Sequence, residues 1–334
     1  MAGPKLEVTP QDIERARHVV AAVARRTPIL PAPSLSERTG SAVYLKLENL
    51  QETGSFKVRG AANRIAALTG EERARGVVTV STGNHARAVA WVAKRFGIPA
   101  VVCMSRRVPP GKVEAVRSLG AEVLLAGESY DEAALACEQL IQERGLTFVP
   151  PFDDPWVIAG QGTIGLELLD ELPEISTAIV PLSGGGLISG VALALKAADP
   201  SIRVVGVSQD RAPVMFHSLR AGRPVELPEE ETIADALAGG IGLDNRYTFR
   251  MVQALVDDVV LVGEEEIEQA IAFALDALHL VVEGGGAVGL AALLQGRIQP
   301  LGQKTAVILS GGNIDLQRLQ EVLQRTVPSE RGER

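Results

Sequence analysis

In the stretch TGSFKVRG, residues 53–60, a lysine follows a small flexible shoulder and opens an apolar-periodic run. Thr53, Gly54 and Ser55 make a turn, Ser55 is placed to cap a helix, and Val58, Ala61, Ile65 and Leu68 recur behind it at three-to-four spacing. The first turn of a helix is the positive end of its dipole, which lowers the pKa of an ammonium and draws anions close. A lysine made neutral there can act as a covalent catalyst. Ser55-Phe56-Lys57 alone is also what a solvated helix start looks like, so the chemical reading of Lys57 depends on partners elsewhere in the chain.

Four glycine-bearing segments supply candidates. Val180-Pro181-Leu182-Ser183-Gly184-Gly185-Gly186-Leu187 runs from a strand into a helix; glycines there let backbone N–H groups approach a phosphate, and the helix dipole favours it. The same segment is nearly a dinucleotide fingerprint: Ser189 replaces its third glycine and Asp210 follows the next strand. Ser81-Thr82-Gly83-Asn84-His85 is a second strand end opening a helix, rich in hydroxyl, amide and N–H donors that can hold a carboxylate or simply cap the helix. Leu309-Ser310-Gly311-Gly312-Asn313 puts Ser310 where α/β sheets place ligands, beyond the carboxyl end of a strand. Val282-Glu283-Gly284-Gly285-Gly286-Ala287 has glycines suited to close backbone approach. One lysine, one phosphate cradle and one carboxylate loop are together what pyridoxal 5'-phosphate and an amino-acid substrate require.

The elements that must position these residues alternate. Thr9-Pro10-Gln11-Asp12 opens a helix expected to run to about residue 25, and 43–47 alternates as a strand. Strands are expected over 77–80, 100–104, 122–126, 178–182, 204–208, 259–262 and 305–309, with helices near 84–96, 109–119, 130–143 and 187–198 and one ending near 171. Such alternation predicts an α/β protein with two doubly wound parallel sheets, covered on both faces and separated by a proline-rich break at Val149-Pro150-Pro151. The loop 222–232 with its acidic run Glu229–Glu231 is expected to be solvated, and the tail 329–334 to fray.

The chain of 334 residues carries a net charge of −8 and is 46% hydrophobic, which argues against nucleic acid or an anionic membrane as partner. Its apolar runs are too short to span a bilayer, and its first twelve residues lack a secretory pattern, so a cytoplasmic protein is expected. Cys103 and Cys137, its two cysteines, have no metal-ligand spacing; no metal site is expected, and both thiols should be buried and free.

The motifs KLENLQETGSFKVRGA, STGNHARA, QGTIGLE, PLSGGGLISG, TIADA, VVEGGGAVGLAAL and LSGGN span the chain in one order. In that order they resemble the fold-type-II pyridoxal-phosphate enzymes of the threonine/serine dehydratase and serine racemase family, with a tryptophan-synthase-β-like fold. The resemblance implies that Lys57 carries the cofactor covalently and Phe56 flanks its ring. Asn84 would meet the ring hydroxyl, and Ser81, Thr82, Gly83, Asn84 and His85 would receive the substrate carboxylate. Gly184, Gly185, Gly186 and Leu187 would wrap the phosphate, and Ser310 would face the pyridine nitrogen. It also implies a large cofactor domain from 1–70 and 152–334, a small mobile domain from 71–151, and a homodimer. The implied reaction is β-elimination from a 3-hydroxy amino acid; racemisation, a nicotinamide oxidoreductase and a non-catalytic binder are the alternatives. Thr82 stands where the family's racemases have serine, Ser208 and Val214 where they have cation ligands, and Ala236 where the family has glycine. CMSRRVP (103–109) and GGIGLDNRYTF (239–249) are most similar to hydroxyectoine-utilisation dehydratases, whose diamino substrate would call for a carboxylate such as Asp235 or Asp244.

Overall fold

The computed structural model describes residues 7–326 and gathers ten strands into two sheets; the tail 329–334 lies outside the described residues. β1 (Ile29–Pro31), β2 (Ala42–Lys46), β7 (Thr177–Pro181), β8 (Arg203–Gln209), β9 (Asp258–Val262) and β10 (Lys304–Ile308) form the larger, in the order β1-β2-β10-β7-β8-β9. β3 (Val77–Val80), β4 (Ala100–Met104), β5 (Glu122–Leu125) and β6 (Thr147–Phe148) form the smaller, in the order β5-β4-β3-β6. Every pairing is parallel except that of the edge strand β1 with β2. β1 and β2 precede the proline-rich break, and β2 nevertheless pairs with β10, which follows it.

The period-two alternation of these apolar runs decides the layers. Ile179, Val205 and Val207 face one core beside the helices Glu264–Asp276 and Gly284–Leu294, while Ala178, Val180, Val204 and Ile308 face another beside Pro155–Glu171 and Gly186–Ala198. In the smaller sheet Val77, Val102 and Met104 pack with the helix Asn84–Phe96, and Val78, Val80, Val101 and Cys103 with Tyr130–Arg144. Cys103 and Cys137 are both buried there as free thiols. Among the described residues no helix is long and apolar enough to cross a membrane.

Two expectations change. The first helix, capped by Thr9 in a reciprocal bond with Asp12, ends at Ala21 rather than near residue 25. Ser55 is not a cap. The helix Lys57–Ala66 has Phe56 as its helical-geometry cap residue, while Ser55 pairs as an isolated bridge with Gly311 and its buried Oγ has no partner. Strand-like pairing to the 310–311 loop, continued by Phe56 N–H donating to Ser310 O at 3.0 Å, takes the backbone that a capping serine would need.

A buried charge network anchors that helix. Arg59 and Glu48 are fully buried, and the guanidinium meets both Glu48 oxygens at 2.8 Å and Glu167 at 2.6 and 2.8 Å. Lys46, also fully buried, donates to Glu167 and to the Thr27 carbonyl, and Thr27 donates to Glu48. Burial alone would push Glu48 up, yet Arg59 and Lys46 hold it below the usual carboxylate range. Two cations and two anions therefore form a neutral set joining β2, the helix Lys57–Ala66 and the helix Pro155–Glu171. Replacing Arg59 with Met should destabilise the protein by about 3–5 kcal/mol, because the fully buried Glu48 loses its guanidinium and Lys46 alone is left to balance two carboxylates. Arg15→Ala, which breaks only the exposed pair with Asp12 and leaves the Thr9–Asp12 cap intact, should cost about 0–1 kcal/mol. Urea midpoints of the two variants check the contrast.

Candidate active site

Lys57 stands at the first position of its helix, half-buried, with Nζ donating to the Pro151 carbonyl at 2.7 Å and 5.2 Å from the centre of the Phe56 ring. Burial pushes its pKa down to about 8, against the opposing charge of Glu283. Desolvation thus lowers this amine, where the sequence suggested the helix dipole.

The proline-rich break is the hub of the site. Val149 O accepts from Thr79 Oγ1 at 3.0 Å and lies 2.9 Å from His85 Nε2. Burial, with the Lys57 charge adding, pushes the His85 pKa down to about 3, so its ring is neutral and Nε2 carries the donated proton. Pro151 O holds Lys57. Phe152 fills the space beside Gly184 and Gly186, where a Cβ would meet its ring or its backbone. The neighbouring Asp153 accepts from the N–H groups of Arg246, Tyr247 and Thr248, fixing the start of the helix Thr248–Leu255.

Gly184, Gly185 and Gly186 lead into the helix Gly186–Ala198. Gly185 has φ +87°, which only glycine adopts without strain, and no side chain caps the helix. Its first-turn N–H groups have no intrahelical acceptors, which suits a phosphate. Leu187 is buried in that turn.

On the opposite side three loops interlock. A Cβ on Gly54, at φ +75°, would strike the Asn313 side chain, and one on Gly311 would strike Glu283 Oε1. Asn313 Nδ2 donates to Thr53 O at 2.8 Å and to Asn84 Oδ1 at 2.6 Å, while Asn84 Nδ2 donates to Glu283 Oε1. Ser310 is buried, and its Oγ lies 3.5 Å from Gly285 O, a weak bond that leaves the hydroxyl available to a ligand nitrogen. Ser81, Thr82 and Gly83 are half-buried ahead of Asn84, with Gly83 as the uncapped start of its helix.

The structure therefore brings Phe56, Lys57, Asn84, His85 and Ser310 into one network with the break, and the break reaches the 184–187 turn through Phe152. Asp235 is exposed and paired with Lys112 at 3.3 Å, and Asp244 is exposed. Ala236 borders Gly285, whose Cβ would lie 3.2 Å from that of Ala236. Ser208 and Val214 are buried. Sequence reasoning passed over Glu283, Phe152 and Asn313. Asn313 sat inside a quoted motif, and the only signal for Glu283 was an acidic residue set among glycines.

A parallel α/β fold with a desolvated lysine, an open helix N-terminus beside glycines and a hydroxyl free to face a ring nitrogen defines a site for a phosphorylated, amine-reactive cofactor. The chain belongs to the pyridoxal-phosphate dependent enzyme family, which matches residues 20–311. It is 48% identical over 317 residues to a protein of Sinorhizobium fredii named putative threonine dehydratase, covering 95% of this chain and 96% of that one. It is 46% identical over 318 residues to an L-threonine ammonia-lyase of Thermotoga maritima, covering 95% and 79%. Among solved structures, maize serine racemase matches with TM-score 0.89 and 40% identity over 95% of this chain and 97% of that one. The processed form of threonine deaminase isoform 2 from Solanum lycopersicum matches with TM-score 0.88 and 35% identity over 98% and 99%. Family membership removes the nicotinamide alternative.

In the cofactor-free protein, acylation of Lys57 by a small reagent should titrate with a midpoint of about 8, against about 10.4 for exposed lysines. Mass-spectrometric labelling at a series of pH values checks it.

Proposed function

We propose that this protein is a dehydratase, or ammonia-lyase, that converts a 3-hydroxy amino acid such as L-threonine or L-serine into a 2-oxo acid and ammonia. The observation that carries the reading is Lys57, a desolvated amine whose proton is held loosely enough to exchange near neutral pH. Relatives named for threonine dehydration or L-threonine ammonia-lyase chemistry, 46–48% identical over nearly the whole chain, support it.

Bound pyridoxal phosphate supplies an electron sink for the pair left when a substrate loses its α-proton. Lys57 Nζ, first the covalent anchor and then the freed neutral base, takes that proton from the substrate Cα. Ser81, Thr82 and Gly83 offer hydroxyl and N–H donors to the substrate carboxylate, Asn84 adds its amide, and His85 holds the loop by its bond to Val149 O. Gly184, Gly185, Gly186 and Leu187 would hold the phosphate, and Phe56 would flank the ring. Ser310 would face the ring nitrogen as a neutral hydroxyl and so enforce no positive charge there, which suits rapid elimination. The β-hydroxyl departs as water, taking up a proton equivalent to the one removed from Cα and leaving an enamine, and hydrolysis of the enamine consumes one water and gives the 2-oxo acid and ammonia. Thr82 carries an extra methyl beside the hydroxyl that a second-face base would need, which disfavours racemisation.

The finer reading is a substrate bearing a second ammonium, 3-hydroxy-2,4-diaminobutyrate of hydroxyectoine utilisation, with Asp235 as its partner in place of Lys112. The working form in this reading is a cytoplasmic homodimer whose residues 71–151 move over the site.

Purified protein given pyridoxal phosphate should show a visible absorption band that borohydride bleaches. Lys57→Ala should lose that band and at least about 1,000-fold in turnover, as expected when a group serves as both anchor and base. Steady turnover by Lys57→Ala overturns the assignment. A higher kcat/KM for L-threonine than for the diamino compound overturns the finer reading alone.

A further inference from the structure

Glu283 is the residue before the helix Gly284–Leu294, where a side chain ordinarily turns back to cap the first turn. Its carboxylate makes no such cap. It is 5% exposed and points instead to Asn84, whose Nδ2 donates to its Oε1. Gly311 leaves room for it, since a Cβ there would strike Oε1. A buried carboxylate that gives up its capping role is placed for something else.

The amide chain around it has one consistent orientation. Both hydrogens of Asn313 Nδ2 are taken, by Thr53 O and by Asn84 Oδ1. Asn84 must therefore present its oxygen to Asn313 and its nitrogen to Glu283, and one Nδ2 hydrogen remains for a ligand. Glu283 as a carboxylate only accepts, so it enforces this arrangement.

The charges around Glu283 come from four elements. Lys57 stands at the start of its helix, and the neutral His85 lies next to Asn84. Lys112 comes from the helix Pro110–Ser118 and Asp235 from the short turn Asp235–Leu237. Burial, reinforced by the Asp235 charge, pushes Glu283 up to about 7, while Asn84, the Asn313 N–H and Lys112 oppose the rise. Glu283 in turn raises Lys57 against desolvation. The two groups titrate close together.

We propose that Glu283 is a positioning residue of this site: its carboxylate, seated in the space that Gly311 leaves for it, fixes the Asn84 amide so that one hydrogen faces a bound ligand's oxyanion. The oxyanion is the ring hydroxyl of the cofactor, so this rests on the pyridoxal-phosphate reading.

Titration with pyridoxal phosphate tests it. Wild type, Glu283→Gln and Glu283→Ala should all form the visible band, but Glu283→Ala should bind the cofactor about three- to tenfold more weakly, as expected for one lost hydrogen bond, while Glu283→Gln, which keeps an acceptor beside Asn84, should stay closer to the wild type. In an Asn84→Ala background Glu283→Ala should have no further effect; if the alanine variant fails to fold, Glu283→Leu provides the acceptor-free comparison. Wild-type affinity in the acceptor-free variant, or an unchanged effect of that substitution in the Asn84→Ala background, overturns the proposal. No band in the wild type overturns the cofactor reading instead.

Discussion

The neutral set of Lys46, Glu48, Arg59 and Glu167 is the constraint on which the catalytic geometry depends. Lys46, Glu48 and Arg59 are fully buried and Glu167 is 12% exposed, so no member can leave without stranding an opposite charge where little water reaches, and such stranding costs several kcal/mol. An apolar replacement of all four could be as stable. What it would lose is the directional pairing of two guanidinium edges with two separate carboxylates, which admits one rotation and one register of the helix Lys57–Ala66. Lys57 lies two residues before Arg59, so the set also fixes where its Nζ emerges.

The rest of the site is built by backbone proximity. Parallel strands end on the same side of a sheet, and the turns that follow them carry glycines where a Cβ would collide with a neighbouring loop. Gly311 makes room for Glu283, and Gly184 and Gly186 for Phe152. The proline-rich break, which punctuates the sequence as a boundary, is also a structural clasp: carbonyl oxygens from Val149 and Pro151 tie His85 and Lys57 to it.

Much of this was legible in the residues. Strands at Val77–Val80 and Ala100–Met104 and the helix Asn84–Phe96 fall at the residues their patterns indicated, because buried parallel strands read as short β-branched runs and the helix keeps one apolar face. Local rules failed where distant chain intervened. Ser55 has a good capping sequence, but Gly311 claims its backbone. Arg59, Glu48 and Lys46 carry no local sign of burial; the Glu167 that helps satisfy them is 108 residues from Arg59, and no local pattern reports that contact. Glu283 was hidden for a similar reason: the glycines beside it drew the reading toward backbone, while its partner Asn84 lies 199 residues away.

Glu48 and Glu283 show why burial alone does not decide ionisation. Both are glutamates almost wholly removed from water. Glu48 faces a guanidinium and an ammonium and stays below the ordinary carboxylate range. Glu283 has amide donors and a distant lysine but also the repelling Asp235, and it rises to about 7. Desolvation acts on both in the same direction, so the difference comes from the neighbouring charges. The same reasoning applies to Lys57. A single loosely held carboxylate returns only part of what desolvation removes, leaving the amine at about 8. Had Glu283 been paired as Glu48 is, with full charge beside Lys57, the ammonium would have been stabilised and its use as a base near neutral pH diminished. Placing the strongly ionised Glu48 against Arg59 and the weakly ionised Glu283 nearer Lys57 lets one fold keep a fixed scaffold and an adjustable amine a few residues apart.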